Sequence, residues 1–370
     1  MCNMIPSGKV KTYSIDEICE ISRGRVISKD YIKDNSGLYP VYSSQTENNG
    51  ELGRIDTFDY EGEYLTWTTD GANAGSIFYR NGKFNITNVC GLLRIKDSYD
   101  ILPQYLLYKL GLEAPKHVSA GMGNPKLMSN TMARIKVEIP TLEVQKIIVD
   151  QLSAFRQLIE SLEDEQKARV SQYLYCASAL FEGAKKEATS YMISEICNIE
   201  KGKTPIQKAV PGEYPMVVTT SERRTCDSYQ FELPAVCIPL VSSRGHGVAS
   251  LNHVYYQEGK FALGNILCAL TPKEKSMLCA KYLYYYFEMT KDYTLVPLMK
   301  GGANVSLRID DIEKIRIPVP SFEQQEHIVS SLSVLESLCY SNTDGIPAEI
   351  EARKQQYHYY REELLTFEEK

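Results

Sequence analysis

Short polar loops beside glycines hold the side chains best suited to binding another molecule. Arginine can hold guanine through two hydrogen bonds, and asparagine or glutamine can do the same for adenine. Serine, threonine and lysine often donate to phosphate oxygens. The candidates form one group in each half of the chain: Ser44, Gln45, Thr69, Asn73 and Lys126, then Thr220, Arg223, Arg224, Ser243, Arg244, His246, Asn304 and Arg308. Any one of them could instead belong to a solvated turn, but their presence in both halves favours a surface suited to bases or phosphates.

No arrangement of catalytic residues accompanies these loops. His246 stands between two glycines, but no serine–acid triad or metal-ligand spacing comes with it. A base methyltransferase would need a motif resembling Asn/Asp-Pro-Pro-Tyr, and the sequence contains no Pro-Pro pair. Residues 202–204, Gly-Lys-Thr, imitate the end of a phosphate-binding loop, but Cys197 stands where its first glycine is required. We therefore expect a non-catalytic chain that needs no cofactor and no metal.

The composition is that of a globular protein in a reducing compartment. Apolar residues make up 43% of the chain, and no apolar run approaches the roughly 18 residues of a membrane helix. The N-terminus lacks the basic start and apolar block of a signal peptide. The ten cysteines stand singly, without a CxxC pair, as small core residues do. These features predict a soluble cytoplasmic protein without a membrane partner.

The net charge of −6 is unevenly distributed along the chain. Between 141 and 186, six Lys or Arg oppose seven Asp or Glu, and between 319 and 370, four oppose ten. The rest of the chain therefore carries +1. Because the acidity lies in these two segments, a local basic face elsewhere is compatible with the overall charge.

An internal repeat runs through the sequence. Residues 13–21 match residues 191–199 at six positions, with an offset of 178. Residues 139–145 recur as 319–325 with an offset of 180, and the offset grows to 184 after the loop-like segment 342–345. Several blocks in one order with a nearly constant offset indicate duplication.

Each repeat begins with a mixed part and ends with a helical part. The mixed parts alternate short β-rich runs with Gly, Asn and Ser turns, whereas no Pro or Gly interrupts 142–182. This pattern predicts an α+β fold with four segments. They are two α/β domains at 1–140 and 187–318, a central spacer helix at 141–186, and a C-terminal spacer helix at 319–370 that is broken near 342–346.

Apolar residues in both helical parts recur in steps of four and three, as in a coiled-coil seam. A helix of about 40 residues spans roughly 60 Å and leaves such a seam exposed when it stands alone. We therefore expect the two helices to form an antiparallel coiled coil with an internal pseudo-two-fold axis. In the alternative, each helix packs against its own domain. The seam residues are Ile148, Leu152, Phe155, Ile159, Leu162, Tyr173, Leu180, Ile328, Leu332, Leu335, Ile350, Tyr357 and Leu364.

Six stretches carry motifs that are specific in combination. They are IPTLEVQ at 139–145, VSSRGHG at 241–247, GKF at 259–261, KGGANVSL at 300–307, VPSFEQQ at 319–325 and IPAEIEARKQQY at 346–357. Together they make the chain resemble the specificity subunits of type I restriction-modification enzymes over essentially its full length. The broken and more acidic second helical segment departs from the first.

The resemblance implies two target-recognition domains that each read one half of a split site in double-stranded DNA. It also implies spacer helices that dock two methyltransferase subunits, with motor-nuclease subunits joining the complex. It does not transfer individual base contacts. The alternative is a two-module coiled-coil adaptor that binds proteins, which would lack the steep salt dependence of DNA binding.

Overall fold

The computed structural model describes residues 10–119, 123–220, 222, 224–245 and 247–367. These residues form two compact units. Unit 1 combines Met1–Leu162 with Ile350–Lys370, and unit 2 is Glu163–Glu349. Both boundaries fall inside helices, so each unit contains one mixed lobe together with parts of the helical segments.

Lobe 1, which we define as residues 11–139, is a mixed α/β lobe within unit 1. Its elements are β1 Lys11–Ser14, α1 Ile15–Ile18, β2 Cys19–Arg23, α2 Lys29–Asp34, β3 Ser36–Tyr42, β4 Glu51–Ile55, β5 Tyr60–Thr68, β6 Ile77–Ile86, β7 Cys90–Ile95, α3 Pro103–Glu113, α4 Ser129–Arg134 and β8 Lys136–Ile139, with short 3₁₀ helices at Glu47–Gly50 and Ala114–His117. Six strands form one sheet in the order β2-β7-β5-β6-β3-β4. Strands β1 and β8 pair antiparallel as a separate ribbon.

The sheet of lobe 1 packs a different cluster against each face. Successive side chains of a strand point to opposite faces, and in β5 Leu65 and Trp67 join the main core with Tyr105 of α3. On the opposite face, Tyr64 packs with Phe84 in an aromatic cluster. The main core therefore anchors the lobe to its helices, and the opposite face of the sheet carries the aromatic cluster.

The chain leaves lobe 1 through the long helix α5, Leu142–Lys185, and enters lobe 2, which we define as residues 189–319. The elements that follow are β9 Thr189–Met192, α6 Ile193–Ile196, β10 Cys197–Lys201, β11 Tyr214–Val217, β12 Arg224–Cys226, β13 Ala235–Pro239, β14 Tyr255–Gln257, β15 Ala262–Leu263, β16 Leu267–Pro272, α7 Ala280–Thr294, α8 Ile309–Glu313, β17 Arg316–Val319, α9 Phe322–Tyr340 and α10 Ile346–Leu365, with 3₁₀ helices at Ile206–Lys208 and Val296–Leu298. In lobe 2, β10-β16-β13-β14 and β12-β11-β15 form two sheets. Strands β17 and β9 pair antiparallel, as β8 and β1 do in lobe 1.

Equivalent side chains of the two repeats make equivalent hydrogen bonds. The hydroxyl of Tyr105 donates to the carbonyl of Glu138 at 2.7 Å, and that of Tyr282 donates to Pro318 at 2.8 Å. The ammonium group of Lys96 donates to the Asp16 carbonyl, and that of Lys273 donates to the Ser194 carbonyl, both at 2.7 Å. These bonds tie the same elements together in each lobe, which extends the duplication from sequence to structure.

Two equivalent glycines allow a close backbone approach in each lobe. A Cβ atom on Gly24 would lie 2.0 Å from the Ile86 carbonyl oxygen, and one on Gly202 would lie 2.1 Å from that of Gly264. Because real Cβ atoms do not approach backbone this closely, only glycine fits at either position without a shift of the chain.

Each lobe packs against two helical segments. In unit 1, Ile148 and Leu152 of α5 share the core of lobe 1 with Leu364 of α10, and the rings of Phe155 and Tyr360 stack at 5.3 Å. The predicted α+β fold with two repeated lobes and long helices is confirmed.

Unit 2 has the matching arrangement with the remaining helical segments. Tyr173 and Ala177 of α5 share the core of lobe 2 with Leu332 of α9. The rings of Tyr173 and Tyr340 meet at 6.0 Å, and the side-chain amide of Gln166 donates to the Cys339 carbonyl at 3.2 Å. Unit 1 therefore contains lobe 1, the N-terminal half of α5 and most of α10. Unit 2 contains lobe 2, the C-terminal half of α5 and all of α9.

Within the described ranges, none of the helices combines the length and apolar character required to cross a lipid bilayer.

Candidate nucleic-acid interface

Three polar loops of lobe 1 converge. They are 43–50, 69–76 and 119–127, of which 120–122 lie outside the described residues. The amide of Asn73 donates to the hydroxyl of Thr46 at 2.9 Å, and the backbone N–H of Gly71 donates to the Pro125 carbonyl at 3.0 Å. These bonds bring the three groups of predicted residues in lobe 1 together.

The predicted residues of lobe 1 differ in exposure. Asn73 and Lys126 are exposed, and Ser44 and Gln45 are half-buried. Thr69 is 0% exposed, and its hydroxyl contacts the Val89 carbonyl at 2.9 Å and the Asp70 carboxylate at 2.7 Å. Thr69 therefore holds the loop in place, and the exposed side chains beside it are the ones available to a ligand.

A buried arginine lies beneath the first of these loops. Arg80 is 3% exposed, and its guanidinium carbon lies 3.6 Å from the centroid of the Tyr42 ring, as in a cation–π contact. Its Nε donates to the Thr66 hydroxyl at 3.1 Å, whereas its Nη1 finds no hydrogen-bond partner in the described part of the chain. Burial lowers the pKa of Arg80 from its ordinary value.

Gly50 closes the loop directly over Arg80. A Cβ atom on Gly50 would lie 3.1 Å from Arg80 Nη2, and the φ angle of +78° favours glycine at this position. Asn48 and Asn49 before it also have positive φ, at 49° and 53°. Sequence inspection missed Arg80, because its surroundings come from strands and a loop that are far apart in the chain.

In lobe 2 the predicted loops border an open cleft of about 690 Å³. Thr220, Arg224 and Ser243 line it, together with Asn252, His253 and Tyr255. The Asn252 N–H donates to the Ser243 hydroxyl at 2.9 Å, which fixes one wall. His253 approaches the Glu288 carboxylate at 3.4 Å. The cleft thus presents hydroxyl, guanidinium, amide and imidazole groups together with the carboxylate of Glu222.

Of the other predicted residues of lobe 2, those that the structure describes lie outside the cleft lining. Arg244, Asn304 and Arg308 are exposed, and Arg308 pairs with Asp310 at 3.1 Å. Arg223 and His246 fall outside the described residues. The side chains of Arg224 and Arg244 make no hydrogen bond or ion pair with described residues, so both guanidinium groups are available to an anion.

Two of the loops have the same backbone framework in both lobes. Leu127 N–H donates to the Thr69 carbonyl, and Leu307 N–H donates to that of Leu240, both at 2.9 Å. Two further backbone bonds recur. In lobe 1 the N–H of Ser119 donates to the Lys126 carbonyl, and that of Gly71 donates to the Pro125 carbonyl. In lobe 2 the N–H of Lys300 donates to the Ser306 carbonyl, and that of Ser242 donates to the Val305 carbonyl. We call this arrangement the paired-loop framework, formed by 69–71 with 119 and 123–127 and by 240–242 with 300–307.

The aromatic run at 284–287 belongs to the core of lobe 2. Tyr285 and Phe287 are 0% exposed, and Tyr284 and Tyr285 donate to the Glu336 carboxylate at 3.0 and 2.6 Å. This run is therefore structural and is unavailable for stacking on bases. In the described ranges, no three His, Cys, Asp or Glu side chains are grouped so that they could hold a metal ion.

Comparison with known proteins gives consistent matches. The family model described as the type I restriction modification DNA specificity domain matches twice, at residues 7–172 and 185–352. A putative type I specificity subunit of Mycoplasma pneumoniae is 34% identical over 370 residues, covering 97% of this chain and 98% of its own length. The specificity subunit of the type I restriction enzyme MpnII from the same organism is 44% identical over 181 residues, covering 48% of this chain and 54% of its own length.

The fold has a counterpart among solved structures. A crystal structure of the S subunit of a type I restriction-modification system from M. genitalium superposes with a TM-score of 0.62, 16% identity and 99% coverage of both chains. The double match of the family model and the full-length relative decide the assignment, and they give no support to a protein-binding adaptor. The chain therefore belongs to the type I restriction-modification DNA specificity family and is a DNA-recognition subunit, not a catalytic one.

Proposed function

We propose that lobes 1 and 2 each read one half of a bipartite DNA site through their converging loops. The observation that carries this proposal is the paired-loop framework, which recurs in both lobes with the same backbone bonds but with different side chains. A shared framework with variable side chains is what two readers of different sequences require. Base contacts would come from exposed side chains, and backbone N–H groups and basic residues would hold phosphates.

Two joined readers give a physical advantage over one. A good bidentate base contact discriminates by about 1–3 kcal/mol, so a short half-site gives limited selectivity. Joining two readers in one chain makes the second binding event intramolecular and adds its discrimination without most of a second association cost. The proposed recognition domains are 1–140 and 187–318, with spacer segments at 141–186 and 319–370.

We assign the proposed base and phosphate contacts to the exposed and half-buried members of the predicted set. They are Ser44, Gln45, Asn73 and Lys126 in lobe 1 and Thr220, Arg224, Ser243, Arg244, Asn304 and Arg308 in lobe 2. Arg224 and Arg244 are the strongest phosphate or guanine candidates because their guanidinium groups are exposed and unpaired among the described residues. The lobe 2 cleft would receive a groove edge or a strand of the backbone.

The helical segments are proposed to dock two methyltransferase subunits, with motor-nuclease subunits joining through that complex. The predicted seam residues Leu152 and Leu332 are fully buried within their units, so they support the helices without facing a partner. Large apolar side chains remain exposed elsewhere on the helices, and they include Leu158, Leu174, Tyr175, Val334 and Tyr359. Exposed apolar side chains of this kind are typical of protein-binding surfaces.

The proposed DNA interface is tested by salt-dependent binding of the chain, assembled with its methyltransferase partner, to target duplex. Because each neutralised phosphate releases counterions, affinity should fall steeply with salt, and loss of one phosphate contact should reduce the slope by about 1. We expect Arg244→Ala and Arg224→Ala to weaken binding. As a matched control, Lys275→Ala removes an exposed cation of lobe 2 that lies outside the cleft lining. Salt-independent binding of the wild type, or equal effects of all three variants, would contradict the proposal.

The division into two readers is tested by exchanging residues 187–318 for the corresponding domain of another family member. Mapping of methylated bases should then show a change in one half of the target only. A change in both halves would contradict independent half-site reading.

A further inference from the structure

The paired-loop framework identifies equivalent positions in the two lobes. In lobe 1 the bridge partners are Asp70 and Lys126, and in lobe 2 they are Val241 and Ser306. Each lobe therefore presents two neighbouring side chains from the same points of the same framework. In lobe 1 both are charged, and in lobe 2 neither is.

The two charged groups of lobe 1 lie close together but do not form a hydrogen bond with each other. Lys126 Nζ and Asp70 Oδ1 are 3.6 Å apart, and the side chains are 51% and 29% exposed. Hydrogen bonds between nitrogen and oxygen have lengths of about 2.7–3.2 Å. The pair is therefore an ion pair whose ammonium protons and Oδ1 lone pairs stay available to another molecule. The other carboxylate oxygen, Oδ2, lies 2.7 Å from the Thr69 hydroxyl, within hydrogen-bond distance, and this contact restrains the carboxylate.

An exposed aspartate is unexpected on a DNA-binding surface. Its negative charge is repelled by phosphates, so Asp70 would weaken binding unless it meets a hydrogen-bond donor on a base. In the major groove, cytosine presents its N4 amino donor beside the O6 and N7 acceptors of the paired guanine. An acceptor and a cationic donor side by side, as in Asp70 and Lys126, are complementary to that edge.

We propose that Asp70 and Lys126 together read one G·C base pair, with Lys126 donating to guanine and Asp70 accepting from the cytosine amino group. This inference rests on the proposed half-site function of lobe 1 and specifies its chemistry. The equivalent pair of lobe 2, Val241 and Ser306, reads an A·T base pair from the same position of the framework. Val241 is 37% exposed and offers methyl groups suited to the thymine methyl, and Ser306 accepts or donates to either base.

The test measures sequence preference in the assembled methyltransferase complex, using duplexes in which every position of the target is substituted in turn. Asp70→Ala and Lys126→Ala should each reduce the preference for G·C at one position of one half-site by about tenfold or more. The emission of Trp67 reports loop integrity, because its indole N–H donates to the Leu127 carbonyl at 2.9 Å beside Lys126, and it is the only tryptophan of the chain.

A second ion pair of lobe 1 provides the matched control. Lys83 Nζ and Glu61 Oε1 are 3.7 Å apart, with side chains 40% and 62% exposed. They face each other near the start of β5 and the end of β6, whereas the framework loop at 69–76 joins the other ends of these two strands. Lys83→Ala and Glu61→Ala should leave base preference unchanged at every position. If Asp70→Ala and Lys126→Ala alter affinity equally for all sequences while Trp67 emission is preserved, the pair contacts phosphate or serves structure alone, and the inference is overturned.

A transfer experiment tests the same idea in lobe 2. Val241→Asp combined with Ser306→Lys should shift one position of the other half-site toward G·C, whereas a shift in the half-site affected by Asp70→Ala would overturn the inference. Failure of the proposed function is distinguishable, because the wild-type complex would then show no salt-dependent binding to any duplex. A bipartite target that is insensitive to both pairs of variants would refute this inference and leave the proposed function intact.

Discussion

Gln145 and Gln325 make the same three side-chain hydrogen bonds, each in its own unit. The Gln145 Oε1 accepts the Leu102 N–H at 2.8 Å, and its Nε2 donates to the carbonyls of Asp100 and Pro140. The Gln325 Oε1 accepts the Cys279 N–H at 2.9 Å, and its Nε2 donates to the carbonyls of Met277 and Pro320. Both glutamines are 0% exposed, so each one joins the helix after its lobe to the loop before α3 or α7.

Replacing Gln145 by leucine should lower the free energy of unfolding of unit 1 by about 2 kcal/mol or more. Three backbone groups would lose their partner in a buried site, and each unsatisfied group costs about 1–3 kcal/mol where water does not replace the bond. Urea unfolding followed by Trp67 fluorescence measures the change. Gln157→Leu, at an exposed position of the same helix, should change stability by less than about 0.5 kcal/mol. Equal effects of the two substitutions would show that the buried network contributes little.

Residues 163–349 should fold as an isolated fragment, because unit 2 is continuous in sequence. Its core includes Tyr173, Ala177 and Leu332 from α5 and α9, and all three are buried. The shorter fragment 187–318 lacks these side chains. A fully buried leucine such as Leu332 stabilises by about 1.5–3 kcal/mol, and Tyr173 and Ala177 add further buried apolar surface, so the shorter fragment should lose cooperative unfolding.

Circular dichroism during urea titration measures this difference, with a sigmoidal transition expected for 163–349 and a gradual one for 187–318. A cooperative transition of equal midpoint for both fragments would show that the helices do not complete the core of lobe 2.

Sequence inspection predicted the duplication, the α+β fold and the long central helix, since these depend on local periodicity and on repeated motifs. The pattern of Ile148 and Leu152 indicated an apolar seam, and the structure shows that this seam meets both lobe 1 and α10. Periodicity reveals that a helix face is buried but does not identify what covers it. For the same reason the seam alone did not assign α10 to unit 1 and α9 to unit 2.

The candidate site was predicted only in outline. Asn73 and Lys126 were selected by residue type, but their convergence depends on bonds between loops about 50 residues apart. The Asp70–Lys126 pair and the buried Arg80 arise from tertiary contacts that leave no local pattern. Thr69 had a suitable side chain, but its complete burial is a property of the fold and is not visible in the loop sequence.

Stability should fall as the pH rises above about 8.5, because several thiols are buried. Burial raises the pKa of Cys19, Cys90, Cys197 and Cys268 to about 12, whereas a cysteine in an unfolded chain has a pKa of about 8.5. Between these values the unfolded state releases protons that the folded state retains. Unfolding is then favoured by rising pH, by up to about 1.4 kcal/mol per pH unit for each thiol.

Urea midpoints at pH 8, 9.5 and 10.5 measure this decline, and Cys90→Ala isolates one thiol. The variant should lose stability less steeply than the wild type over the same range. If the two profiles have the same slope, Cys90 remains protonated equally in both states and burial does not govern its titration.

Lys109 should be essential for holding the C-terminal helix in unit 1. Its side chain is 3% exposed, and its Nζ lies 2.5 Å from Glu138 Oε2 and 3.6 Å from Glu113 Oε1. It also donates to the Leu365 carbonyl near the end of α10 at 2.8 Å. Lys109→Met would leave a partly buried carboxylate without its cation and a carbonyl without its donor. Removing one partner of a fully buried pair costs about 3–5 kcal/mol, and the partial exposure of Glu138 reduces the expected loss to about 2 kcal/mol.

Trp67 fluorescence during urea titration measures the loss of stability, and limited proteolysis should show earlier cleavage after residue 350. Lys116→Met is the matched control, because Lys116 is 57% exposed and pairs with Glu113 at 3.1 Å, so its removal should change stability by less than about 0.5 kcal/mol. Adding Glu138→Gln to Lys109→Met should restore part of the lost stability, since it removes the unpaired charge. If the double variant is no more stable than Lys109→Met, the loss comes from the contacts with Leu365 and Glu113 and not from the charge of Glu138, and the cleavage pattern of α10 should then stay altered in both.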